Sequence, residues 1–331
     1  MWQVENRSPF PHWAGFQRDH QGRSLWSIVL KASFAIRPDQ PLRHLVPQPP
    51  LLQAPLTEGE RMVADRDISL PRPFCDVLLS GHAHPPDGAS PDRGWTASLL
   101  IGDWRKALRV LPARQWHRGR PRPAPQPGAP VPLDWTATWG GPEVAENPLG
   151  RGTLWQEGAA LPRLVPEGQG ESSRVPVSFA PVPHGWPQRS RLGGTYDQAW
   201  LRRRAPLLPA DLDPRYWQAA PPDQWLDPEA LFGAPVELIG IAPQPLRFAL
   251  PRLGFEVATR FRGQWVQHPP RLQMLTIDSD AMRLSMVLQA ALPIGAAQFD
   301  VKVERSFIAL RELQGFAVAA PDMPAFDAAQ G

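Results

Sequence analysis

Proline fills 43 of the 331 positions, more than twice the usual share. Six of these prolines, Pro121, Pro123, Pro125, Pro127, Pro130 and Pro132, crowd into residues 119–132. Each removes a backbone N–H and fixes φ, so this density is expected to exclude helix and strand and to leave an extended surface loop or linker. Proline also has an ordering effect. At sites whose φ suits it, it narrows the unfolded ensemble and stabilises by about 0.4–1 kcal/mol. The stretch of about 133–232 is rich in Trp, Pro, Gly and Arg, with little periodicity. Structureless segments of that length are unusual inside a domain. This one is expected to wrap over a β core, pinned by its tryptophans. Gly and Pro together stay below the roughly 25–30% that marks a disordered chain.

The flanking thirds read as strands. Trp26, Ile28, Leu30, Ala32 and Phe34 fall on one face, and Ser27, Lys31 and Ser33 on the other, the period of a half-buried strand. Asp76 to Gly81 is a second strand. Trp95 to Ile101 and Lys106 to Leu111 flank Gly102-Asp103-Trp104-Arg105, which suits a hairpin connection. Later, Phe255, Val257, Thr259 and Phe261 alternate with polar or small residues, and a turn at Arg262-Gly263 leads to Trp265. Leu284, Met286, Leu288 and Ala290 alternate in the same way, as does Phe299 to Arg305. Ser27–Ala32 echoes Ser285–Ala290, as two apolar strands do by chance. Short helices are expected after Asp213-Pro214 and Asp227-Pro228, where a carboxylate N-cap precedes proline, and over Thr195 to Arg204.

The expected fold is mostly β. It is an antiparallel sandwich or barrel-like core, or two packed β halves, with an irregular middle and a few short helices. The divisions are an N-terminal β region 1–118, a Pro-rich loop 119–132, a wrapping segment 133–232, a C-terminal β region 233–315 packing on the first, and a frayed tail 316–331. Together they make one structural unit.

The lone Cys75 excludes an internal disulfide and a cysteine zinc cluster. No cleavable leader and no apolar run of membrane-spanning length is visible, so the protein is expected in the cytoplasm. Net charge is only +3 and the basic residues are nearly all Arg, the lysines being Lys31, Lys106 and Lys302. Arginine dominance reads as genome composition, or as the interface chemistry of a protein that binds others. Neither nucleic acid nor membrane is an expected partner.

The search for chemistry returns little. His82 and His84 share a strand face, and Asp76 would join them if the strand stays regular, giving three candidate metal ligands. The ordinary reading is that Pro85-Pro86 ends the strand and the histidines sit at its rim. Asp278-Ser279-Asp280 resembles a calcium-loop fragment without its glycine and distal glutamate, and reads better as a turn bonding its own backbone. No nucleophile elbow, Walker loop or dinucleotide fingerprint is present. Arg202-Arg203-Arg204 suits a helix end. What recurs is a set of glycine–aromatic–charged loops: Asn147-Pro148-Leu149-Gly150-Arg151-Gly152, Gly193-Gly194-Thr195-Tyr196-Asp197-Gln198-Ala199-Trp200 and Ala220-Pro221-Pro222-Asp223-Gln224.

These loops occur in order with Asn6-Arg7-Ser8-Pro9-Phe10, Trp26 to Phe34, Cys75 to Ala83 and Thr276 to Leu284. The whole resembles the family called domain of unknown function 2169, from about Asn6 to about Leu292. Residues 119–132 are more proline-rich than the family pattern, and Pro71 to Phe74 departs from it. The resemblance implies a non-enzymatic adaptor or chaperone of bacterial type VI secretion. Such a protein binds an effector with a PAAR or PAAR-like domain and helps load it onto a VgrG-type spike. It implies no catalytic residue and no cofactor. The matching positions Asp76, Gly81, His82, Asn147, Pro148, Gly150, Gly194, Thr195, Tyr196, Asp197, Trp200, Asp223, Gln224, Asp278 and Arg283 are implied to be structural or partner-binding. Two other readings stand beside it: a metal-dependent enzyme using the His-Ala-His strand, and a carbohydrate- or envelope-binding β module suggested by the 14 tryptophans.

Overall fold

The computed structural model describes residues 3–88, 90–126, 128–295 and 303–317. The chain is mostly β, built on three open sheets, with no closed barrel. The largest has eight strands. Its order is Trp225–Leu226, Cys75–Ser80, Arg271–Asp278, Arg283–Gly295, Ser24–Ala35, Leu42–His44 and Phe316–Ala317, with His12–Arg18 paired along the first half of Ser24–Ala35. The second runs Leu164–Pro166, Trp104–Val110, Trp95–Ile101, Pro235–Ile239 and Leu246–Ala249, every neighbour antiparallel. The third runs Gln3–Asn6, Val303–Gln314, Arg252–Phe261 and Gln264–Gln267.

The alternation in the sequence places the core. Trp26, Ile28, Leu30, Ala32 and Phe34 leave one face of the large sheet and meet Leu99, Leu108 and Leu238 from the second sheet and Val257, Ile308 and Leu310 from the third. Full burial of each such side chain stabilises by roughly 1.5–3 kcal/mol. One polar chain crosses this core. Trp26 Nε1 donates to Ser306 Oγ at 3.0 Å, Ser306 Oγ lies 2.8 Å from Thr259 Oγ1, and Thr259 Oγ1 lies 2.7 Å from His268 Nε2.

The echoing segments are sheet neighbours: Lys31 stands opposite Val287 and Leu30 opposite Leu288. The predicted turn at 102–105 is tighter than expected, since Trp104 and Arg105 already belong to the second strand. Each Asp-Pro pair caps a short 3₁₀ helix, Asp213 before Pro214–Trp217 and Asp227 before Pro228–Ala230. The helix expected over Thr195 to Arg204 is Gln198–Arg203. Of the strand expected over Phe299 to Arg305, Val303 to Arg305 begin the strand Val303–Gln314, while Phe299 to Lys302 lie outside the described residues. Of the expected tail, Phe316 and Ala317 pair with Leu42 and Arg43, and residues from 318 lie outside the described ones.

Two expectations need correction. Ser24–Ala35 is not half-buried. Its second face is covered too, with Ser27, Lys31 and Ser33 all buried. Val29, Leu78, Met274 and Val287 on this side pack against Ala219 and Ala220. Lys31 Nζ meets the Asp67 carboxylate at 2.8 Å and the Pro50 carbonyl at 3.3 Å, so its charge is paired rather than solvated. Periodicity tells which residues share a face, not whether a later segment will cover that face.

The second correction concerns 119–132. Arg114–His117 pairs antiparallel with Arg120–Pro123 through a turn at Arg118 and Gly119, whose φ values of 48° and 73° fit a two-residue hairpin. Val131–Pro132 adds a short pairing to His82–Ala83. Pro121 and Pro123 are tolerated because they alternate on an outer strand, where every second N–H faces away from the partner.

Candidate functional site

The carboxylate of the Cys75–Ser80 strand faces the covering segment. Asp76 is fully buried, and its two oxygens accept from Arg72 Nη1 at 2.6 Å, Gln218 Nε2 at 2.7 Å, Ala219 N at 2.7 Å and Ala220 N at 3.1 Å. Burial raises its pKa, opposed by Arg72 and the two backbone N–H groups. Asp76 thus hooks residues 218–220 onto the sheet.

Gln224 is a second hook. Its Nε2 donates to the carbonyls of Val77 and Phe179, and its Oε1 accepts from Lys106 Nζ at 2.6 Å. Lys106 also donates to the Ser178 carbonyl at 2.8 Å and to Asp223, its charge displaced from water by burial. Asn147 is a third. It is buried and donates to the carbonyls of Trp135 and Trp139 at 2.9 and 2.8 Å, with Pro148 opening the turn that follows. A Cβ on Gly150 would strike the Asn147 amide and stand 2.6 Å from Gly140 Cα, so only glycine fits there.

The Gly194 to Trp200 segment differs. Thr195 binds Asp211 through its N–H at 3.0 Å and its hydroxyl at 2.7 Å. Gly194 takes φ +80°, next to Pro209. Asp197 caps the Gln198–Arg203 helix by accepting from Trp200 N at 2.7 Å, and Trp200 Nε1 donates to the Leu207 carbonyl at 2.8 Å. The frame is fixed from below while Tyr196 (58%) and Leu201 (55%) remain exposed.

A third group lies at the end of the parallel pair Cys75–Ser80 and Arg271–Asp278. Gly81 (φ +119°) lets the Ser279-Asp280 turn come close. His82 Nδ1 meets Asp280 Oδ2 at 2.7 Å, and Asp280 also accepts from His82 N at 3.1 Å. Asp278 accepts from Ala281 N at 2.9 Å, the self-bonded turn expected, and pairs with Arg283 at 3.2 Å. Two cavities of about 270 and 280 Å³ adjoin here and share Val63, Leu79, Ser80 and Asp278. Their charges are mutually paired: Lys31 with Asp67, Arg61 with Asp134, Arg283 with Asp278.

The three candidate metal ligands are not brought together. Asp76 is occupied by Arg72 inside the sheet, His82 by Asp280 at the rim, and His84 lines neither cavity. Among the described residues no group of three or more His, Cys, Asp or Glu could hold a metal ion. Cys75 is buried with its thiol pKa pushed up by desolvation, which leaves it a poor nucleophile. Among the described tryptophans only Trp155 and Trp265 are exposed, on separate elements, so no aromatic line of a sugar-binding face forms.

Sequence reasoning missed a buried ionic chain beneath the covering segment. Arg72 lies 2.6 Å from Asp76 and 3.6 Å from Asp65, and Asp65 lies 3.2 Å from Arg189. Arg189 also donates to the carbonyls of Val182 and Tyr216. His184 sits beside it, its pKa lowered to about 4, first by burial and then by the Arg189 charge. Its members are arginines and aspartates that nothing in the sequence sets apart; the rare lysines Lys31 and Lys106 mark other buried anchors.

No helix among the described residues is long and apolar enough to cross a membrane. The model of the family named domain of unknown function 2169, described as an uncharacterized protein conserved in bacteria, matches residues 21–289, a narrower span than Asn6 to Leu292. No curated protein and no solved structure matches the chain.

Proposed function

The chain belongs to this uncharacterized bacterial family, and from that premise we propose that it is a non-catalytic adaptor. Its client would be a type VI effector with a PAAR or PAAR-like domain, which it would help load onto a VgrG-type spike in the cytoplasm. One observation carries the reading. The buried motif residues Asp76, Asn147 and Gln224 bond to their own chain, whereas the Gly194 to Trp200 segment holds Tyr196 outward just ahead of the Asp197-capped helix, which carries the exposed Leu201. Residues spent on presenting an aromatic surface suit recognition rather than turnover. Hand-off to the spike favours an affinity that dissociates readily.

The test is co-expression with an effector that carries a PAAR or PAAR-like domain from the same strain. The effector is expected to co-purify. Tyr196→Ala with Leu201→Ser should weaken the complex by roughly tenfold or more without moving the melting temperature. Normal effector stability and delivery in a strain lacking this protein would overturn the proposal.

A further inference from the structure

We propose that the Arg114–Pro123 hairpin and the loop carrying Trp155 form a docking surface for an acidic, apolar-containing segment of a partner protein. It rests on the adaptor reading only for whose segment this is. The hairpin pairs with no main sheet. Its inner strand is tied down, with Trp116 N donating to the Ala159 carbonyl at 2.9 Å and Gly158 N to the Trp116 carbonyl at 2.8 Å. Its outer strand, Arg120–Pro123, is exposed at every position.

Charge is the first argument. The carboxylates nearby are already used: Glu157 by His117 Nδ1 at 2.6 Å and by Arg118 N at 2.8 Å, and Glu171 by Arg114. Among the described residues the side chains of Arg118, Arg120 and Arg122 make no ion pair or hydrogen bond, and all three residues are exposed. Three free guanidinium groups on one tip therefore await carboxylates from elsewhere.

Shape is the second. Trp155 is 72% exposed yet stacked on Trp116 at 4.4 Å, with Leu154 exposed beside it. An exposed Trp held in place by a stack is the kind of aromatic anchor enriched at interface hot spots. Strand alternation puts Arg120 and Arg122 on one face of the hairpin and Pro121 and Pro123 on the other, the face of Trp116 and its stacked Trp155, so a bound segment crosses the outer edge from the arginine face to the tryptophan face. The prolines leave no N–H to extend the ladder, so a partner is read by side chains rather than added as a strand. A nucleic acid fits less well. The chain's net charge is only +3, and tracking a phosphate backbone needs a longer positive stripe.

The test is fluorescence anisotropy on the full chain, with a labelled peptide of alternating Glu and Asp around one Phe, and a short oligothymidine run alongside. Peptide binding that falls with salt is expected. Arg120→Glu with Arg122→Glu should weaken it roughly tenfold or more, and Trp155→Ala should weaken it as well. The arginine variants should melt as the parent does, because the replaced groups are exposed, whereas Trp155→Ala also loses its stack on Trp116 and should melt slightly lower. No peptide binding, equal binding by the variants, or tighter binding of the oligonucleotide through the same residues would overturn the proposal. Failure of the adaptor reading has a different signature: no co-purifying effector, with peptide binding and its sensitivity to the arm intact.

Discussion

Asp76→Ala tests whether the covering segment is held by a few buried hooks or by spread-out contact. The substitution removes all four bonds that converge on the carboxylate. Arg72 is left buried, with Asp65 at 3.6 Å as its remaining ion partner. Breaking a buried ion pair from one side costs about 3–5 kcal/mol. The orphaned N–H groups of Ala219 and Ala220 add to this, but relaxation and entering water offset part of it. A net loss of about 4 kcal/mol follows. With about 2.1 cal/mol/K of unfolding entropy per residue, a chain of this length should melt roughly 6 °C lower. Guanidinium unfolding followed by tryptophan fluorescence gives the free energy, and limited trypsinolysis should show cutting at Arg215 in the folded variant. Asp76→Ala with Arg72→Leu should recover part of the loss, since the stranded charge is gone. A single variant within 1 kcal/mol of the parent, with Arg215 still protected, would refute the hook account (the threshold is about the size of one ordinary hydrogen bond).

Burial lowers the His268 pKa to about 4 from 6.5. Its folded-state pKa lies below the unfolded one, so stability is full above about pH 6.5 and is lost as pH falls towards 4. The fall from 6.5 to about 4 is worth about 3 kcal/mol, and His268→Phe should flatten that part of a melting-temperature profile relative to the parent. Gly150→Ala forces a methyl group against Asn147 and Gly140 and should cost about 1–3 kcal/mol in a denaturant titration. Lys106→Met leaves the Gln224 Oε1 and Ser178 carbonyl partners behind. It should destabilise by about 2–3 kcal/mol, whereas Lys106→Arg would show a smaller deficit if charge rather than shape is what the site needs.

The strands were legible because burial on a sheet writes itself as alternation, and Trp26 to Phe34 carries that pattern over nine residues. The Asp-Pro caps were legible because a carboxylate and a proline are each sufficient locally. The second face of the large sheet was not. Ser27 and Ser33 carry no mark of burial, and Lys31 is an expensive residue to bury unless Asp67 is brought beside it by a distant loop. The Asp65–Arg72–Arg189 chain was hidden for the same reason, since its members lie up to 124 residues apart. Proline density misled at 119–132 because it was read as a count, when the alternation of Arg120-Pro121-Arg122-Pro123 is what an outer strand permits. Of the loop motifs, sequence order showed that they belonged together. Only geometry separated the inward-facing Asp76, Asn147 and Gln224 from the outward-facing Tyr196.

The central pair of the large sheet joins Ser24–Ala35 to Arg283–Gly295, with Ser33 and Ser285 touching across 252 positions. On a ribosome the first of these strands emerges long before its neighbour exists, carrying Trp26, Ile28 and Leu30 with nothing to bury them. Closing so long a loop is slow. The polypeptide therefore spends its synthesis in a sticky, unpaired state and completes its core only after most of it has been released. A truncation before residue 283 should give aggregates rather than a smaller folded unit.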